Sequence, residues 1–174
     1  MALYQVDRGV EAYPPFPQEH HGIIWRQLDP RDLHALSALF ARMEARDNPP
    51  YRTALAEVEE MLSPASSWWG IAAFATKGIA QGRMVAFAQT RLRFSERIEC
   101  VCQGGVDPDF RRIGLGGSLL EWQIAAAGSM LEQNEDTGQR AIVSFVENWQ
   151  DELENALKDR GFHWERTYYD LRAK

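Results

Sequence analysis

The stretch Val106-Asp107-Pro108-Asp109-Phe110-Arg111-Arg112-Ile113-Gly114-Leu115-Gly116-Gly117 decides how the rest of the sequence folds around it. The apolar run before it, Ile98 to Gly105, predicts a strand, and the segment after it, Ser118 to Glu132, predicts a helix. A turn of this kind is an anion site, because the first N–H groups of a helix have no intrahelical partner and the helix dipole adds positive potential. The glycines let phosphate oxygens approach the backbone, and Arg111 and Arg112 add two permanent charges.

The spacing of the glycines separates this turn from other phosphate-binding turns. No lysine follows them, as a P-loop requires, and Leu119 stands where a Rossmann turn has its third glycine. Ser118 is followed by leucines, so it is not the serine of a nucleophile elbow. The pattern that fits is V-x-P-x-x-R-R-x-G-x-G.

This pattern resembles the coenzyme A motif of the GNAT superfamily, the acyl-CoA-dependent N-acyltransferases. The family core is Q/R-x-x-G-x-G/A, and residues 111 to 116 match it in full, with Val106 and Pro108 matching its flank. The segment from Asn148 to Gly161-Phe162 is similar to the family's N-…-G-F signature. The resemblance implies an enzyme that moves an acyl group, most often acetyl, from acetyl-CoA to a primary amine of a small molecule or protein.

Composition and charge narrow the class of protein. A chain of 174 residues suits one domain, and its apolar content of 45% and charged content of 25% are ordinary for a soluble globular protein. A net charge of −6 argues against nucleic-acid binding and is compatible with a cationic acceptor. No apolar run approaches the length of a membrane span, and residues 1–13 lack the apolar region of a secretory signal. We expect a cytoplasmic protein with no membrane partner; a homodimer is left open.

Cysteine and histidine patterns do not indicate metal or disulfide chemistry. Cys100 and Cys102 alternate along one predicted strand and are interpreted as small buried hydrophobic residues. His20 and His21 have neither a helical i, i+4 partner nor a carboxylate cluster, so we expect no metal site.

The order of elements predicts one domain. Residues 1–22 are expected to form an irregular arm, since Tyr13-Pro14-Pro15-Phe16-Pro17 cannot be helix or central strand, and residues 23–174 form the domain. The pattern predicts strands at Ile23–Leu28, Trp68–Ala75, Met84–Phe94, Ile98–Gly105, Ala141–Val146 and Phe162–Leu171, and helices capped by Asp29, Thr53 and Asn148 besides the one that follows the glycines.

The βαβ unit from Ile98 to Val146 is a crossover connection, which gives parallel pairing, whereas the other strands are linked as hairpins. We therefore expect an α/β (mixed α+β) fold with a central, mostly antiparallel sheet and flanking helices. The GNAT family has this order too, and the resemblance implies that the one parallel pair is splayed.

The resemblance also implies where acetyl-CoA binds. In the family the diphosphate lies on the backbone amides of the turn, and the pantetheine arm lies along the strand that ends at the motif's valine, in the gap beside its parallel neighbour. The residues assigned to cofactor binding on this basis are Val106, Arg111, Arg112, Ile113, Gly114, Leu115, Gly116, Gly117 and Asn148.

Attack on a thioester needs a neutral amine, and an alkyl ammonium has a pKa near 10.4, so a base or a desolvating pocket must remove a proton. Glu99 is the carboxylate within the cofactor strand, one residue away from the family's usual position, which is Cys100 here. A one-residue shift turns a strand side chain to the other face unless a bulge intervenes. Glu44 and Asp47, beside the break that forms the acceptor side in the family, are alternatives, and so is water.

The family's usual acid for the departing thiolate, a tyrosine four residues before the glycine of the G-F pair, is Leu157 here. Three alternatives remain open. Water protonates the thiolate, or Tyr168 or Tyr169 of the last strand does so, or the chain is a non-catalytic acyl-CoA-binding module. The sequence does not identify the acceptor amine or the acyl length.

Overall fold

The computed structural model describes residues 1–3, 13–19 and 22–168. Within these ranges six strands form one sheet, and four helices lie against it. The strands are β1 (Ala2–Leu3), β2 (Ile23–Gln27), β3 (Trp68–Ala75), β4 (Met84–Phe94), β5 (Ile98–Val106) and β6 (Arg140–Ser144), and the helices are α1 (Leu33–Asp47), α2 (Leu55–Met61), α3 (Leu115–Glu132) and α4 (Asp151–Lys158). Short 3-10 helices at Pro30–Asp32 and Pro108–Phe110 precede α1 and the glycine turn.

The strand order in the sheet is β1-β6-β5-β4-β3-β2. The pair of β5 and β6 is parallel, and the other pairs of neighbouring strands are antiparallel. The parallel pair is joined by the crossover helix α3, as the sequence predicts. The expected mixed fold is therefore confirmed.

The helices bury the two faces of the sheet separately. Helix α3 covers one face, where the apolar cluster includes Cys100, Cys102, Leu120, Ile124, Ala127 and Ile142. Helices α1 and α2 cover the β2–β4 half of the other face, where the cluster includes Leu36, Leu39, Val58, Ala72 and Phe87. Both cysteines are free and buried, which confirms their interpretation as hydrophobic core residues, and burial raises the pKa of Cys100 to about 12.

The start of the first helix follows the predicted capping. Asp29 caps the 3-10 turn by accepting a hydrogen bond from the backbone N–H of Arg31 at 2.8 Å, and Asp32 accepts one from the N–H of Asp29 at 2.9 Å. Helix α1 ends at Asn48, which is left-handed with φ 47° and donates its N–H to the carbonyl of Glu44. The two prolines that follow cannot continue the helix.

Two other predicted caps are wrong. The residue that precedes α4 is Gln150, and Asn148 lies in the exposed turn before it. The residue that precedes α2 is Ala54, whose N–H donates to Glu57 at 2.6 Å. Thr53 instead donates its N–H and its hydroxyl to Oε1 of Glu44, at 2.8 and 2.6 Å. Thr53 therefore bonds to a side chain in the preceding helix instead of capping α2.

The predicted last strand, Phe162–Leu171, is wrong over the part that the structure describes. Between residues 162 and 168 His163 alone joins the sheet, by a single antiparallel bridge to Ala2, and residues 169–171 lie outside the described ranges. The place beside β6 is taken by β1, with Ala2 opposite Val143 and Leu3 opposite Ile142. Sequence reasoning missed β1, because two residues are too few to show the alternation of a strand.

No helix of the described ranges is long and apolar enough to cross a membrane.

A buried ion pair fixes α1 to the start of the glycine turn. Nε of Arg42 donates to Oδ2 of Asp107 at 2.6 Å, and the Asp107 side chain is only 1% exposed. Oδ1 of Asp107 accepts from the N–H of Asp109 at 3.0 Å, and Arg42 also donates to the carbonyl of Met84 at 2.7 Å. A buried carboxylate of this kind depends on its cation, because water does not reach the Asp107 side chain to replace Arg42.

Replacing Arg42 with Met is expected to lower the free energy of unfolding by about 3 kcal/mol, because the Asp107 carboxylate is left buried without its cation. Urea-induced unfolding followed by circular dichroism measures this. The matched control is Arg31→Met, which removes an arginine paired with Asp29 at the protein surface and should change stability much less. Equal losses in the two variants would contradict the assignment of Arg42–Asp107 as a stabilising buried pair.

Candidate functional site

The glycine turn reverses the chain between β5 and α3. Asp107 caps the 3-10 helix Pro108–Phe110, and the chain then passes through two left-handed residues, Arg112 with φ 62° and Gly114 with φ 93°. Helix α3 begins directly afterwards at Leu115, which is 1% exposed and holds the helix start against the sheet. Glycine adopts this left-handed conformation freely, so another residue at Gly114 would strain the backbone. Arg112 is not a glycine, and its left-handed backbone is therefore strained in the structure.

The start of α3 leaves room for a ligand. A Cβ atom built on Gly114 or on Gly116 meets no atom within 4 Å, so the space beside the first helical turn is open. The first helical hydrogen bond runs from the N–H of Ser118 to the carbonyl of Gly114, at 3.2 Å. The N–H groups of residues 115–117 have no intrahelical acceptor, and they are suited to an anion.

A cavity of about 440 Å³ lies beside this turn. It is lined by Arg46, Pro108, Arg111, Arg112 and Glu152, so three of its five lining side chains are cationic and one is anionic. The cavity therefore brings together the end of α1, the glycine turn and the first turn of α4. Its positive charge favours a phosphate-bearing ligand.

The two motif arginines have different surroundings. Arg111 donates to both carboxylate oxygens of Asp47, at 2.6 and 2.7 Å, and to the carbonyl of Val106 at 3.2 Å. The hydrogen bonding of Arg111 to the Asp47 carboxylate is the main reason why the pKa of Asp47 is lowered. Arg112 is 80% exposed and pairs with Glu152, which is 77% exposed. An exposed pair of this kind is weak, so Arg112 can exchange its carboxylate for another anion at little cost.

The parallel strands β5 and β6 separate before they reach the glycine turn. Their pairing runs from Ile98–Arg140 to Cys102–Ser144, and no later pair forms between them in the described residues. Strand β5 nevertheless continues to Val106, paired on its other side with β4. The chain beyond β6 leaves the sheet at Phe145, whose side chain is 52% exposed. A groove with unpaired β5 backbone along one wall follows from this divergence.

A buried amide supports the point at which the strands separate. Gln123 of α3 is 3% exposed, and its Nε2 donates to the carbonyl of Gln103 at 2.8 Å and more distantly to that of Gln89 at 3.3 Å. Gln103 is the first β5 residue after the last parallel pair. Sequence reasoning did not single out Gln123, and the available signal was a polar residue among the mostly apolar residues of the buried side of α3.

Glu99 lies far from the turn. It is seven residues before Val106 on β5, roughly 23 Å away at the usual rise of a strand. The register of β4 and β5 is continuous, so no bulge turns Glu99 to the face of Cys100. Its carboxylate accepts hydrogen bonds from Arg93 and, at 3.0 Å, from Arg97. This placement favours a role in an ion-pair network; its role as general base stays a prediction.

The positions considered for the acid that protonates the leaving thiolate have different surroundings. Leu157 is 1% exposed and belongs to the core, in keeping with its position on the apolar side of α4. Tyr168 is 70% exposed, and its ring centroid lies 6.3 Å from that of Phe145, at the point where β6 leaves the sheet. Tyr169 lies outside the described residues. Asn148 is exposed three residues beyond Phe145, on the β6 side of the groove.

Carboxylates meet a tyrosine on the α1 side. Glu44 is 7% exposed in the last turn of α1, and Tyr51 lies in the break between α1 and α2. The pKa of Tyr51 is raised by burial and then by the nearby carboxylates of Glu147 and Glu44. Since Glu147 follows β6, this break and the β6 side of the groove come together here. Tyr51 and Glu147 were not recognised from the sequence, where 96 residues separate them.

No group of three or more His, Cys, Asp or Glu side chains that could hold a metal ion occurs within the described ranges. His20 and His21 lie outside those ranges.

No protein-family model matches the sequence, and no curated protein gives a match. Several solved structures are similar to this chain. A GNAT-family acetyltransferase from Streptococcus pneumoniae has a TM-score of 0.63 at 19% identity over 87% of this chain and 93% of its own. A ribosomal-protein-alanine N-acetyltransferase from Brucella melitensis biovar Abortus 2308 has 0.59 at 15% identity, over 88% and 100%.

An aminoglycoside acetyltransferase from an uncultured soil metagenomic sample, solved with sisomicin, has a TM-score of 0.59 at 13% identity, covering 88% of this chain and 98% of its own. These identities are too low to transfer an activity, but the coverage is nearly complete in both directions. Together with the single parallel pair and the glycine turn at its edge, they show that this chain has the GNAT fold.

Proposed function

We propose that this chain is an N-acyltransferase that moves an acetyl group from acetyl-CoA to a primary amine. The observation that carries the proposal is the groove between β5 and β6, which opens after the Cys102–Ser144 pair and leads to the open N-terminus of α3. The divergence of β5 and β6 leaves backbone N–H and C=O groups that need hydrogen-bond partners. Its combination with an anion site at the same edge suits a long ligand that ends in phosphates.

The residues present fit coenzyme A. The N–H groups of residues 115–117 and the charges of Arg46 and Arg112 would hold the phosphates, and the space at Gly114 and Gly116 admits them. The β5 backbone after Gln103, which has no β6 partner, would hydrogen-bond the amides of the pantetheine arm as an added strand does. When bound, acetyl-CoA supplies an activated thioester.

The α1 side of the groove suits a cationic acceptor. Glu44 and Glu147 lie near Tyr51, and they would attract an ammonium and accept its proton directly or through water. Glu44 already accepts two hydrogen bonds from Thr53 through Oε1, which fixes the orientation of its carboxylate. Partial burial in the groove would also lower the pKa of the amine, since the charged form loses solvation.

A second candidate function is an acyl-CoA-binding module without catalysis. It is favoured by the core position of Leu157, where a positioned acid is lacking, and by the exposure of Tyr168. Purified protein incubated with acetyl-CoA and a panel of primary amines separates the two. Amine-dependent release of free thiol, with acetylated amine detected by mass spectrometry, supports the enzyme. Tight binding of acetyl-CoA without product from any amine supports the module.

Gly116→Val is expected to weaken coenzyme A binding at least tenfold, about 1.4 kcal/mol. A Cβ atom at this position meets no protein atom within 4 Å, so the variant should fold, and the branched side chain takes up space that a phosphate needs. Isothermal titration calorimetry measures the affinity. Gly138→Val, in the loop before β6 and with an ordinary φ, is the matched control and should bind as the parent does. Parental affinity in Gly116→Val would place the phosphates elsewhere.

Arg112→Ala and Glu152→Gln are expected to change coenzyme A affinity in opposite directions. Loss of the arginine removes a cation from the cavity, and loss of the carboxylate frees Arg112 and removes an anion. We expect Kd to rise roughly three- to tenfold in the first and to fall in the second, with both effects shrinking in high salt. Changes in the same direction would show that charge at this cavity does not govern binding.

Tyr168→Phe is expected to lower kcat by less than tenfold once an acceptor is known. The hydroxyl belongs to a residue that is 70% exposed, so water can protonate the leaving thiolate in its place. Steady-state kinetics measure kcat, and an unchanged unfolding midpoint verifies the fold. A loss of about a hundredfold, the usual scale for removal of a general acid, would make Tyr168 the acid.

A further inference from the structure

Two ion pairs join helix α1 to the glycine turn. In one of them α1 supplies the cation, and in the other α1 supplies the anion. Arg42 of α1 donates to Asp107 at the start of the turn, at 2.6 Å, and Arg111 of the turn donates to Asp47 at the end of α1, at 2.6 and 2.7 Å. The first pair is buried at its carboxylate, whereas the second is partly exposed, at 37% and 36%. The second pair is therefore the one that can adjust without unfolding the core.

The end of α1 lies directly on the strand that borders the groove. A Cβ atom built on Gly105 would lie 2.5 Å from Sδ of Met43, so the Met43 side chain of α1 lies directly against the backbone of β5. Gly105 precedes Val106, the last residue of β5. Glu44 follows Met43 on the same turn of helix. Any displacement of the end of α1 thus moves the α1 wall of the groove at the point where β5 has no β6 partner.

Arg111 is committed to protein acceptors. Three of its nitrogen atoms donate to Asp47 and to the carbonyl of Val106, in a bidentate geometry that a guanidinium forms and an ammonium does not. Arg112, by contrast, is 80% exposed and pairs with an exposed carboxylate. The two adjacent arginines of the turn therefore differ in role. Arg111 binds protein acceptors, whereas the side chain of Arg112 is in solvent.

We propose that Arg111 is a positioning residue, which fixes the end of α1 to the cofactor turn through Asp47, so that occupation of the turn by coenzyme A stiffens the wall that faces the acceptor. The inference rests on the proposed function, since it takes coenzyme A as the occupant of the turn. Phosphate held by the backbone of residues 112–117 would immobilise the turn, and the bidentate pair would carry that restraint to Asp47. Cofactor binding would in this way prepare the acceptor side before the amine arrives.

Hydrogen–deuterium exchange tests this without any acceptor. Free coenzyme A is the probe, and the observed peptides are those that cover residues 42–48. In the parent chain, coenzyme A is expected to slow exchange in this segment at least threefold. In Asp47→Asn the slowing should be lost, while calorimetry still detects coenzyme A with an affinity within about fivefold of the parent. Asp47→Glu, which keeps a carboxylate, should restore most of the effect.

The matched control is Asp29→Asn, which changes an Arg-paired aspartate at the other end of the same helical segment and should leave the slowing intact. The inference is overturned if coenzyme A binds the parent and the segment exchanges at the same rate with and without it. It is also overturned if Arg111→Gln loses coenzyme A affinity more than tenfold, since Arg111 would then be a phosphate ligand. Absence of binding to the parent would instead contradict the proposed function, so the two failures are distinguishable.

Discussion

The separation of β5 from β6 after the Cys102–Ser144 pair is the constraint on which the rest of the site depends. A parallel pair that stops early leaves backbone N–H and C=O groups without partners, and such groups need a hydrogen bond from somewhere. Gln123 supplies one to the carbonyl of Gln103, from a position 3% exposed on α3. Beyond that point the groove wall is available to a ligand that can hydrogen-bond as a strand does.

The glycine turn and helix α1 complete the groove from its two ends. The turn needs open space at Gly114 and Gly116 and the anion preference of the α3 N-terminus. Helix α1 is held against the turn by the buried Asp107 and against β5 by the contact of Met43 with the surface of Gly105. The glycine turn and the end of α1 are therefore parts of one connected structure, since Asp107 and Arg111 of the turn both pair with α1 residues.

The elements that local pattern determines were predictable. The glycine spacing from Gly114 to Gly117 indicates an anion turn, the apolar run around Ile142 indicates a buried parallel strand, and Asp29-Pro30 indicates a helix start. In each case the physical cause lies within a few residues along the chain. For this reason the fold class and the glycine turn between β5 and α3 followed from the sequence together with the family resemblance.

What the sequence did not predict depends on partners distant in the chain. The edge beside β6 is occupied by Ala2–Leu3, more than 130 residues away in the chain. The pairing of Arg111 with Asp47 spans 64 residues, and neither residue alone indicates the other. Local propensities do not determine such choices, because several acceptors of equal chemistry compete and only the packed structure decides among them.

The most direct test of the groove is a crystal structure of this chain with coenzyme A. We expect the diphosphate against the N–H groups of residues 115–117 and the pantetheine amides hydrogen-bonded to the β5 backbone between Gln103 and Val106. Coenzyme A bound elsewhere on the surface, or β5 and β6 paired through to Val106 with no ligand between them, would contradict it.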